Sequence, residues 1–209
     1  MGSAAYWDGE AATYDRKTAL VERRLLSPAR AWAAERVVGR TLEVAIGTGA
    51  NLPYYAARPT SLTGVDLSAQ MLAAASRRAA EVGVRIDLLQ ADVAALPFAS
   101  GSFDTVLCTF SLCGVPDERV ALREMGRVLA PGGRLVVADH VVSSAGAFRL
   151  LQRLLDATAP RDSGEHHRRR PVLVVPDAGL VVAEQEASRF RLVERFVAVR
   201  PPAPAAPRG

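Results

Sequence analysis

The chain has 209 residues, of which 49% are hydrophobic, and carries a formal net charge of +4 at pH 7. This length and composition predict one globular domain over residues 1–200 with a substantial core. No run approaches the roughly 20 consecutive apolar residues of a membrane-spanning helix, and no charged-then-apolar signal segment opens the chain. We therefore expect a cytoplasmic protein without stable membrane insertion.

The first predicted strand leads directly into a Gly-x-Gly turn. Residues 41–51, TLEVAIGTGAN, join an apolar strand to Gly47 and Gly49 and then to the start of a helix. Glycine adopts backbone angles that are closed to residues with a Cβ, so the main chain can approach a bound molecule closely. The free N–H groups of the next helix point at the same place. The segment therefore predicts a ligand-binding turn.

The turn departs from the dinucleotide-binding pattern. That pattern needs a third glycine three residues after the second, so that helix and strand pack tightly beneath a pyrophosphate, but this chain has Leu52 there. Glu43 lies in the strand just before the turn, where a carboxylate would repel phosphates. It could instead hold a cationic amino group, directly or through water. These residues favour a positively charged nucleoside without phosphates.

Two more predicted strands end in a carboxylate, Asp66 and Asp92. Asp66 could accept hydrogen bonds from both hydroxyls of a ribose, or it could cap the following helix, for which Ser68 is also a candidate N-cap. Asp92 could accept from the exocyclic amine of an adenine. Because parallel strands present their carboxyl ends at one edge of an open sheet, we expect Glu43, Asp66 and Asp92 to converge there.

The rest of the chain alternates between strand and helix patterns, the order of an open sheet covered on both faces. Predicted strands lie at residues 61–66, 85–93, 102–109, 134–140, 181–188 and 191–199, and predicted helices at residues 116–129 and 146–157. Pro131-Gly-Gly133 is expected to stop the first of these helices. Residues 172–175 are locally strand-like, and the Pro/Ala-rich tail 201–209 is predicted to be disordered.

The arginines and cysteines bear on other functional classes. The sequence pI near 9.6 raises nucleic-acid binding as a rival. The arginines are scattered over the helices except for a dense run at residues 161–170, which could bind a substrate phosphate or carboxylate or form a solvated loop.

Cys108 and Cys113 surround one loop without zinc-type partners, so we expect neither a disulfide nor a metal site.

Taken together, these segments resemble the class I S-adenosylmethionine-dependent methyltransferases over nearly the whole chain. The resemblance rests on LEVAIGTGANLPYY, GVDLSAQML, QADVAALPFASGSFDTVLCTFSLCGVPD and REMGRVLAPGGRLVVADHV. The chain is most similar to the type 11 branch, which includes the ubiquinone and menaquinone biosynthesis methyltransferases. The ADHV segment and the region from Leu154 to Arg170 also resemble small-molecule thiol methyltransferases and bacterial phospholipid N-methyltransferases.

The resemblance implies a Rossmann-like α/β fold with a seven-stranded, mostly parallel sheet, helices on both faces and a C-terminal antiparallel hairpin. It implies a short helix, rather than a strand, near residues 172–175. Residues 1–35 would form a helical segment that closes over the cofactor, with Tyr14 as a contact, although Tyr6 and Trp7 could equally serve to dock the first helix.

The resemblance also assigns roles to matching residues, with S-adenosylmethionine as the cofactor. The methionine part would lie against the glycine turn, the ribose against Asp66, and the adenine against Asp92, Val93 and Met71. The full set expected to bind the cofactor is Tyr14, Glu43, Ala45, Gly47, Thr48, Gly49, Asn51, Asp66, Leu67, Met71, Asp92, Val93, Thr109 and Phe110. Substrate contacts are expected from Ser111, His166 and Arg169.

Methyl transfer from a sulfonium needs alignment and exclusion of water more than covalent help from the protein. A phenol, thiol or protonated amine must lose a proton, and His140, at the end of the fifth predicted strand, is the candidate catalytic base. A neighbouring carbonyl could instead hold His140 in a structural role.

The predicted function is methyl transfer to a small, lipophilic acceptor by a monomer or homodimer. A nucleic-acid substrate is disfavoured, because Thr109-Phe-Ser-Leu112 stands where base-modifying methyltransferases carry an Asn-Pro-Pro-Tyr type segment. The alternatives are an inactive protein that still binds the cofactor and a nicotinamide-dependent oxidoreductase, which would need the missing third glycine.

Overall fold

The computed structural model describes residues 4–55, 59–158 and 169–202. The α-helices of these residues are α1 (Ala4–Val21), α2 (Ser27–Ala34), α3 (Ala69–Val82), α4 (Glu118–Val128) and α5 (Gly146–Thr158). The strands are β1 (Gly39–Val44), β2 (Pro59–Asp66), β3 (Asp87–Gln90), β4 (Phe103–Thr109), β5 (Leu129–His140), β6 (Val181–Ala187) and β7 (Val193–Val199). A π-helical turn, Glu22–Leu26, joins α1 to α2. The tail predicted to be disordered lies outside the described residues from position 203 onward.

The seven described strands form one sheet in the order β3-β2-β1-β4-β5-β7-β6. Strands β1 to β5 pair in parallel, whereas β7 pairs antiparallel with β5 and with β6. The predicted fold class, a mostly parallel Rossmann-like sheet with a C-terminal antiparallel hairpin, is confirmed. The chain runs outward from β1 to β3 and then returns to β4 on the other side of β1. The carboxyl ends of β1 and β4 therefore form the switch point at which open α/β sheets bind ligands.

The central strands are buried on both faces, as expected for a parallel sheet that is covered by helices on both sides. Along β5, Leu135 and Val137 join the apolar cluster that contains Met125 of α4. Val136, between them, joins the cluster on the opposite face with Trp32 of α2. The sheet is thus fixed between two cores, and its carboxyl edge is a rigid support for a site.

Strand β3 is shorter than the predicted segment of residues 85–93. It ends at Gln90, and Asp92 lies two residues beyond it. The Asp92 carboxylate accepts a hydrogen bond from the N–H of Ala94 at 2.8 Å, which closes a turn in place of further strand. Asp92 therefore belongs to a loop after the strand.

Strand β5 begins earlier than residue 134, where it was predicted to start. Helix α4 ends at Val128, before the Pro131-Gly-Gly133 segment that was expected to stop it, and β5 follows at Leu129. A register shift interrupts the pairing with β4, and Gly132 has a φ of 79°. The Pro-Gly-Gly segment therefore forms an irregular first part of the strand rather than the end of the helix.

Residues 171–178 form two short 3-10 turns, Pro171–Leu173 and Val175–Ala178. This agrees with the helical segment that the family resemblance implies and not with the local strand-like pattern. Pro171 occupies the first turn, where its missing N–H leaves no intrahelical bond unmade.

Two glycines with the same backbone angle offer a test of the glycine turn. Gly49 and Gly132 both have a φ of 79°. A Cβ at Gly49 would lie 2.5 Å from Leu52 Cδ1 and 3.2 Å from Cα of Ala75 in α3, whereas a Cβ at Gly132 meets nothing within 4 Å.

We expect both Gly49→Ala and Gly132→Ala to lose roughly 1–2 kcal/mol of stability from the left-handed backbone. Gly49→Ala should lose about 1–3 kcal/mol more because of overpacking against α3. Urea unfolding of the two variants measures the difference. Equal losses would show that the turn does not need this close approach.

Candidate active site

A cavity lies at the carboxyl ends of β1, β2 and β4, and about 950 Å³ of space lies within it and in the open solvent at its mouth. Eleven of the residues expected at the site line it: Tyr14, Ala45, Gly47, Thr48, Asp66, Leu67, Met71, Val93, Thr109, Phe110 and Ser111. Six expected residues lie outside this lining: Glu43, Gly49, Asn51, Asp92, His140 and Arg169. His166 falls outside the described residues. Lining residues that sequence reasoning gave no role in the site include Arg30, Ile46, Cys113 and Val115.

Asp66 joins two turns at the bottom of the cavity. Its Oδ2 accepts a hydrogen bond from the N–H of Gly47 at 2.8 Å, and its Oδ1 accepts from the N–H of Ser68 at 2.9 Å. Burial raises the pKa of this carboxyl from its ordinary value, against these hydrogen bonds. A carboxylate has about four lone-pair positions, so Asp66 can accept further hydrogen bonds from a ligand in the cavity.

Ser68, rather than Asp66, caps the N-terminus of helix α3. The Ser68 hydroxyl accepts a hydrogen bond from the N–H of Met71 at 3.1 Å, which makes Ser68 the N-cap of α3. Asp66 supports the turn before the helix, and its side chain still borders the cavity.

Glu43 lies beneath the glycine turn and is buried. Its Oε2 accepts a hydrogen bond from the hydroxyl of Tyr55 at 2.5 Å, and its Oε1 accepts from Nδ2 of Asn51 at 2.9 Å. Burial raises the pKa of Glu43 to about 7, although both hydrogen bonds and the charge of Arg30 oppose the shift. The carboxylate is thus engaged by the protein, one layer behind the cavity wall.

Arg30 of α2 brings a cation to the cavity wall. Its Nη1 donates to Oδ1 of Asn51 at 3.1 Å and to Oγ1 of Thr109 at 2.9 Å. Its Nε and Nη2 donate to the carboxylate of Glu22 in the π-helical turn, and its guanidinium lies 4.9 Å from the centre of the Phe110 ring. Only 6% of Arg30 is exposed. In the sequence it is one of many helical arginines, and nothing there distinguishes it.

Helix α1 is held against the cavity by two aspartates. Asp8 accepts from the hydroxyl of Ser68 at 2.5 Å and from the N–H of Gln70 at 3.1 Å, at the N-terminus of α3. Asp15 accepts from the hydroxyl of Thr48 at 2.7 Å and forms an ion pair with Arg78 of α3. These bonds keep the aromatic face of α1 over the cavity, which is lined by the edge-to-face pair Trp7 and Tyr14.

The loop after β4 forms the other wall. Phe110 has a φ of 53°, an uncommon angle for an aromatic residue, and its N–H donates to the carbonyl of Ala138 at 2.8 Å. The ring of His140 packs against Phe110 with 4.9 Å between ring centres. His140 therefore lies behind Phe110 rather than directly at the cavity.

Asp139 is buried beneath the same loop. Its Oδ2 accepts from the N–H of Leu112 and its Oδ1 from the N–H of His140, both at 2.7 Å, and the Cys113 side chain also hydrogen-bonds to it. Burial raises its pKa to about 6, although these hydrogen bonds lower it. Arg169 stabilises the loop from outside by donating to the carbonyls of Leu112, Val115 and Pro116.

Among the described residues, one group could hold a metal ion. The ligand atoms of Cys113, Asp139 and His140 all lie within 4.8 Å of one another. The backbone N–H groups of Leu112 and His140 and the Cys113 side chain already occupy the Asp139 carboxylate, so hydrogen bonding accounts for the grouping.

Comparisons with known proteins agree with this geometry. A family model described as a methyltransferase domain matches residues 42–137. A phosphatidylethanolamine N-methyltransferase of Cereibacter sphaeroides is 36% identical over 149 residues, which cover 70% of this chain and 72% of the relative. A demethylmenaquinone methyltransferase of Thermus thermophilus is 41% identical over 124 residues, 58% of this chain and 56% of that protein. The chain thus spans little more than half the length of the Thermus relative.

Two solved structures share the fold. A S-adenosylmethionine-dependent methyltransferase of Thermotoga maritima has a TM-score of 0.71 and 21% identity, covering 93% of this chain and 98% of its own. The [4+2]-cyclase SpnF has the same TM-score and identity, over 85% of this chain and 82% of its own. The chain belongs to the class I S-adenosylmethionine-dependent methyltransferases, in the type 11 branch. S-adenosylmethionine is its cofactor.

The buried Glu43 predicts how stability depends on pH. Its pKa is about 7 in the folded protein, against 4.5 ordinarily, so the folded state binds this proton more tightly than the unfolded chain. The resulting stabilisation is full below about pH 4.5 and is lost as the pH rises through about 7.

We therefore expect the free energy of unfolding of the wild type to fall between pH 5 and 8 more steeply than that of Glu43→Gln, which keeps the site neutral. Urea unfolding at both pH values measures this, and Glu81→Gln on the exposed face of α3 controls for the loss of one charge. Parallel pH profiles for the wild type and Glu43→Gln would contradict the burial argument.

Proposed function

We propose that this protein transfers a methyl group from S-adenosylmethionine to a small, lipophilic acceptor, namely a phenol or quinol, a thiol or an amine. The observation that carries the proposal is the cavity at the switch point, where the Asp66 carboxylate faces an otherwise mostly apolar wall that includes Trp7, Phe110 and Val115. The relatives in quinone biosynthesis and in phosphatidylethanolamine methylation, both named for lipophilic acceptors, support it.

The residues at the cavity fit the cofactor. A Cβ at Gly47 would meet nothing within 4 Å, so open space borders the backbone at the first glycine of the turn. Asp66 can accept from the ribose hydroxyls, and Leu67, Met71 and Val93 offer apolar surface for the adenine ring. Glu43 and Asn51 would act from beneath by holding the turn and the Thr109 hydroxyl in place.

Arg30 lines the cavity on the side of the glycine turn, where its charge is paired with Glu22 and its Nη1 donates to Asn51 and Thr109. We assign the methionine part of the cofactor to this side, against Gly47 and Thr48 of the glycine turn, which both line the cavity. Tyr14 and Asp15 lie on α1, so they would belong to the lid that closes over the cofactor.

S-adenosylmethionine supplies the methyl group on a sulfonium, which is already a good leaving group. The protein must then exclude water, align the acceptor and take its proton. His140 is the proposed base and would act past the Phe110 ring. A second route for the proton would run from the acceptor to the Cys113 side chain, which lines the cavity, and from its thiol to Asp139.

Titration with S-adenosylhomocysteine, the demethylated cofactor, tests binding. Asp66→Ala should weaken affinity by roughly 1–3 kcal/mol, since hydrogen bonds to a charged group are lost. Asp92→Ala should weaken it less, because Asp92 lies outside the cavity lining. Absence of heat with folded wild-type protein would end the proposal, and an unchanged affinity in Asp66→Ala would remove Asp66 from its role.

Incubation with labelled S-adenosylmethionine and a panel of quinols, phenols, thiols and amines tests turnover. With an acceptor that reacts, His140→Gln should lower the rate by about 10²-fold or more while affinity for S-adenosylhomocysteine is kept, and Asp139→Asn provides the comparison for the second route. A wild-type rate in His140→Gln would place the base elsewhere. Binding without transfer to any acceptor would favour an inactive cofactor-binding protein.

A further inference from the structure

Helix α5 turns its apolar side chains toward solvent and a polar side chain toward the protein. Leu150, Leu151 and Leu154 are 59%, 50% and 57% exposed. Gln152 is buried instead, where it donates to the carbonyl of Val141 and accepts from the N–H of Ser143. This is the reverse of an amphipathic helix that packs its apolar stripe onto a core.

Two aromatic rings extend the apolar surface beyond the helix. Phe148 of α5 lies 5.6 Å from Phe190, measured between ring centres, and both rings are partly exposed. Phe190 has a φ of 61°, and its carbonyl accepts from the hydroxyl of Ser143 and the N–H of Ser144. Two hydrogen bonds therefore hold a strained residue next to α5. The α5 patch is defined as Phe148, Leu150, Leu151, Leu154 and Phe190.

The border of the α5 patch is positively charged. Helix α5 contains Arg149 and Arg153 against the single acid Asp156. The guanidinium of Arg149 donates to the carbonyls of Ser143 and Ser144, neutral acceptors that do not cancel its charge. Arg189 lies over the Phe190 ring at 4.8 Å. The surface therefore combines exposed apolar side chains with guanidinium groups at their edge.

We propose that the α5 patch docks this protein on the surface of an anionic lipid bilayer. A helix with an apolar face and basic residues beside it lies in the plane of the membrane interface, with the apolar side chains among the acyl chains. The arginines then bind lipid phosphates bidentately. At 13 residues α5 lies on the membrane rather than crossing it, and no helix of the described residues is long and apolar enough to cross a membrane.

Charge favours a lipid surface over a second copy of this chain. In a twofold dimer each patch meets its own image, so the two borders, in which Arg149, Arg153 and Arg189 outnumber the acids, are brought together. Like charges brought together in this way oppose association, whereas anionic headgroups neutralise them.

The position of α5 connects the patch with the cavity. The helix begins at Gly146, six residues after β5 ends at His140, and this is the end of the sheet where the cavity lies. If the proposed function is right, docking would bring a lipophilic acceptor from the bilayer toward the cavity. Membrane binding itself does not depend on catalysis, so the two can be tested apart.

Flotation with vesicles of phosphatidylcholine, with and without phosphatidylglycerol, tests the docking. We expect the wild type to float with the anionic vesicles and to bind less at high salt, where headgroup attraction is screened. The double variant Leu151→Glu/Leu154→Glu should bind roughly tenfold less or weaker still, because two leucines no longer enter the acyl region. Leu89→Glu, at an exposed leucine of the edge strand β3, is the matched control and should float like the wild type.

Arg149→Gln/Arg153→Gln keeps the apolar patch and should remove most of the preference for anionic vesicles, which gives a second measurement if the glutamate variant fails to fold. Wild-type protein that does not float, or equal loss in Leu89→Glu, would overturn the proposal. The proposal would also be overturned if light scattering showed a wild-type dimer that Leu151→Glu/Leu154→Glu dissociates, while the wild type bound no vesicles. The affinity of these variants for S-adenosylhomocysteine should equal that of the wild type, because only docking is lost. If the wild type itself did not bind S-adenosylhomocysteine, the proposed function would be contradicted but the docking proposal would not.

Discussion

The site depends on one carboxylate that is held by backbone N–H groups at the switch point of the sheet. Asp66 accepts from Gly47 after β1 and from Ser68 before α3, so a single side chain fixes the distance between the glycine turn and the next helix. Because the donors are main-chain groups, the carboxylate remains where it is needed even when the cavity is empty of ligand. Helix α1 then depends on this arrangement, since Asp8 binds the N-terminus of α3 and Asp15 binds Thr48 in the glycine turn.

A second, buried network supports the same turn from the other side. Asn51 donates to Glu43 and Thr109 and accepts from Arg30, so strands β1 and β4 and helix α2 are joined through one amide. Buried polar groups stabilise a structure only when every member has a partner. The π-helical turn brings Glu22 to Arg30, eight residues later, and completes that set. The part of the cavity wall that contains the glycine turn and Thr109 is thus supported from behind by this network.

Patterns that are local in sequence predicted local structure well. Apolar runs, the glycine turn and Ser68 gave most of the strands, the switch point and the N-cap of α3, because each depends on neighbouring residues. Contacts between distant segments could not be predicted: Arg30 meets Thr109 across 79 positions, and Arg169 serves the loop after β4 rather than lining the cavity. The sequence predicted a helix at residues 146–157 but could not show which of its side chains are exposed, since that depends on the contacts of Gln152 with Val141 and Ser143.

The fold alone does not determine the chemistry, because the same architecture is found in a [4+2]-cyclase and in methyltransferases. Away from the glycine turn, the cavity is bordered by the strained Phe110, the Cys113 loop above Asp139, and the aromatic face of α1. Phe110 lines the cavity and the His140 ring packs against it, so the proposal that His140 acts as the base depends on the position of the Phe110 ring. Phe190, also in a left-handed conformation, faces solvent beside α5. Phe110 is held by the carbonyl of Ala138 within β5, whereas Phe190 is held by Ser143 and Ser144, between β5 and α5. The position of Phe110 is therefore fixed by the sheet, whereas that of Phe190 depends on the segment before α5.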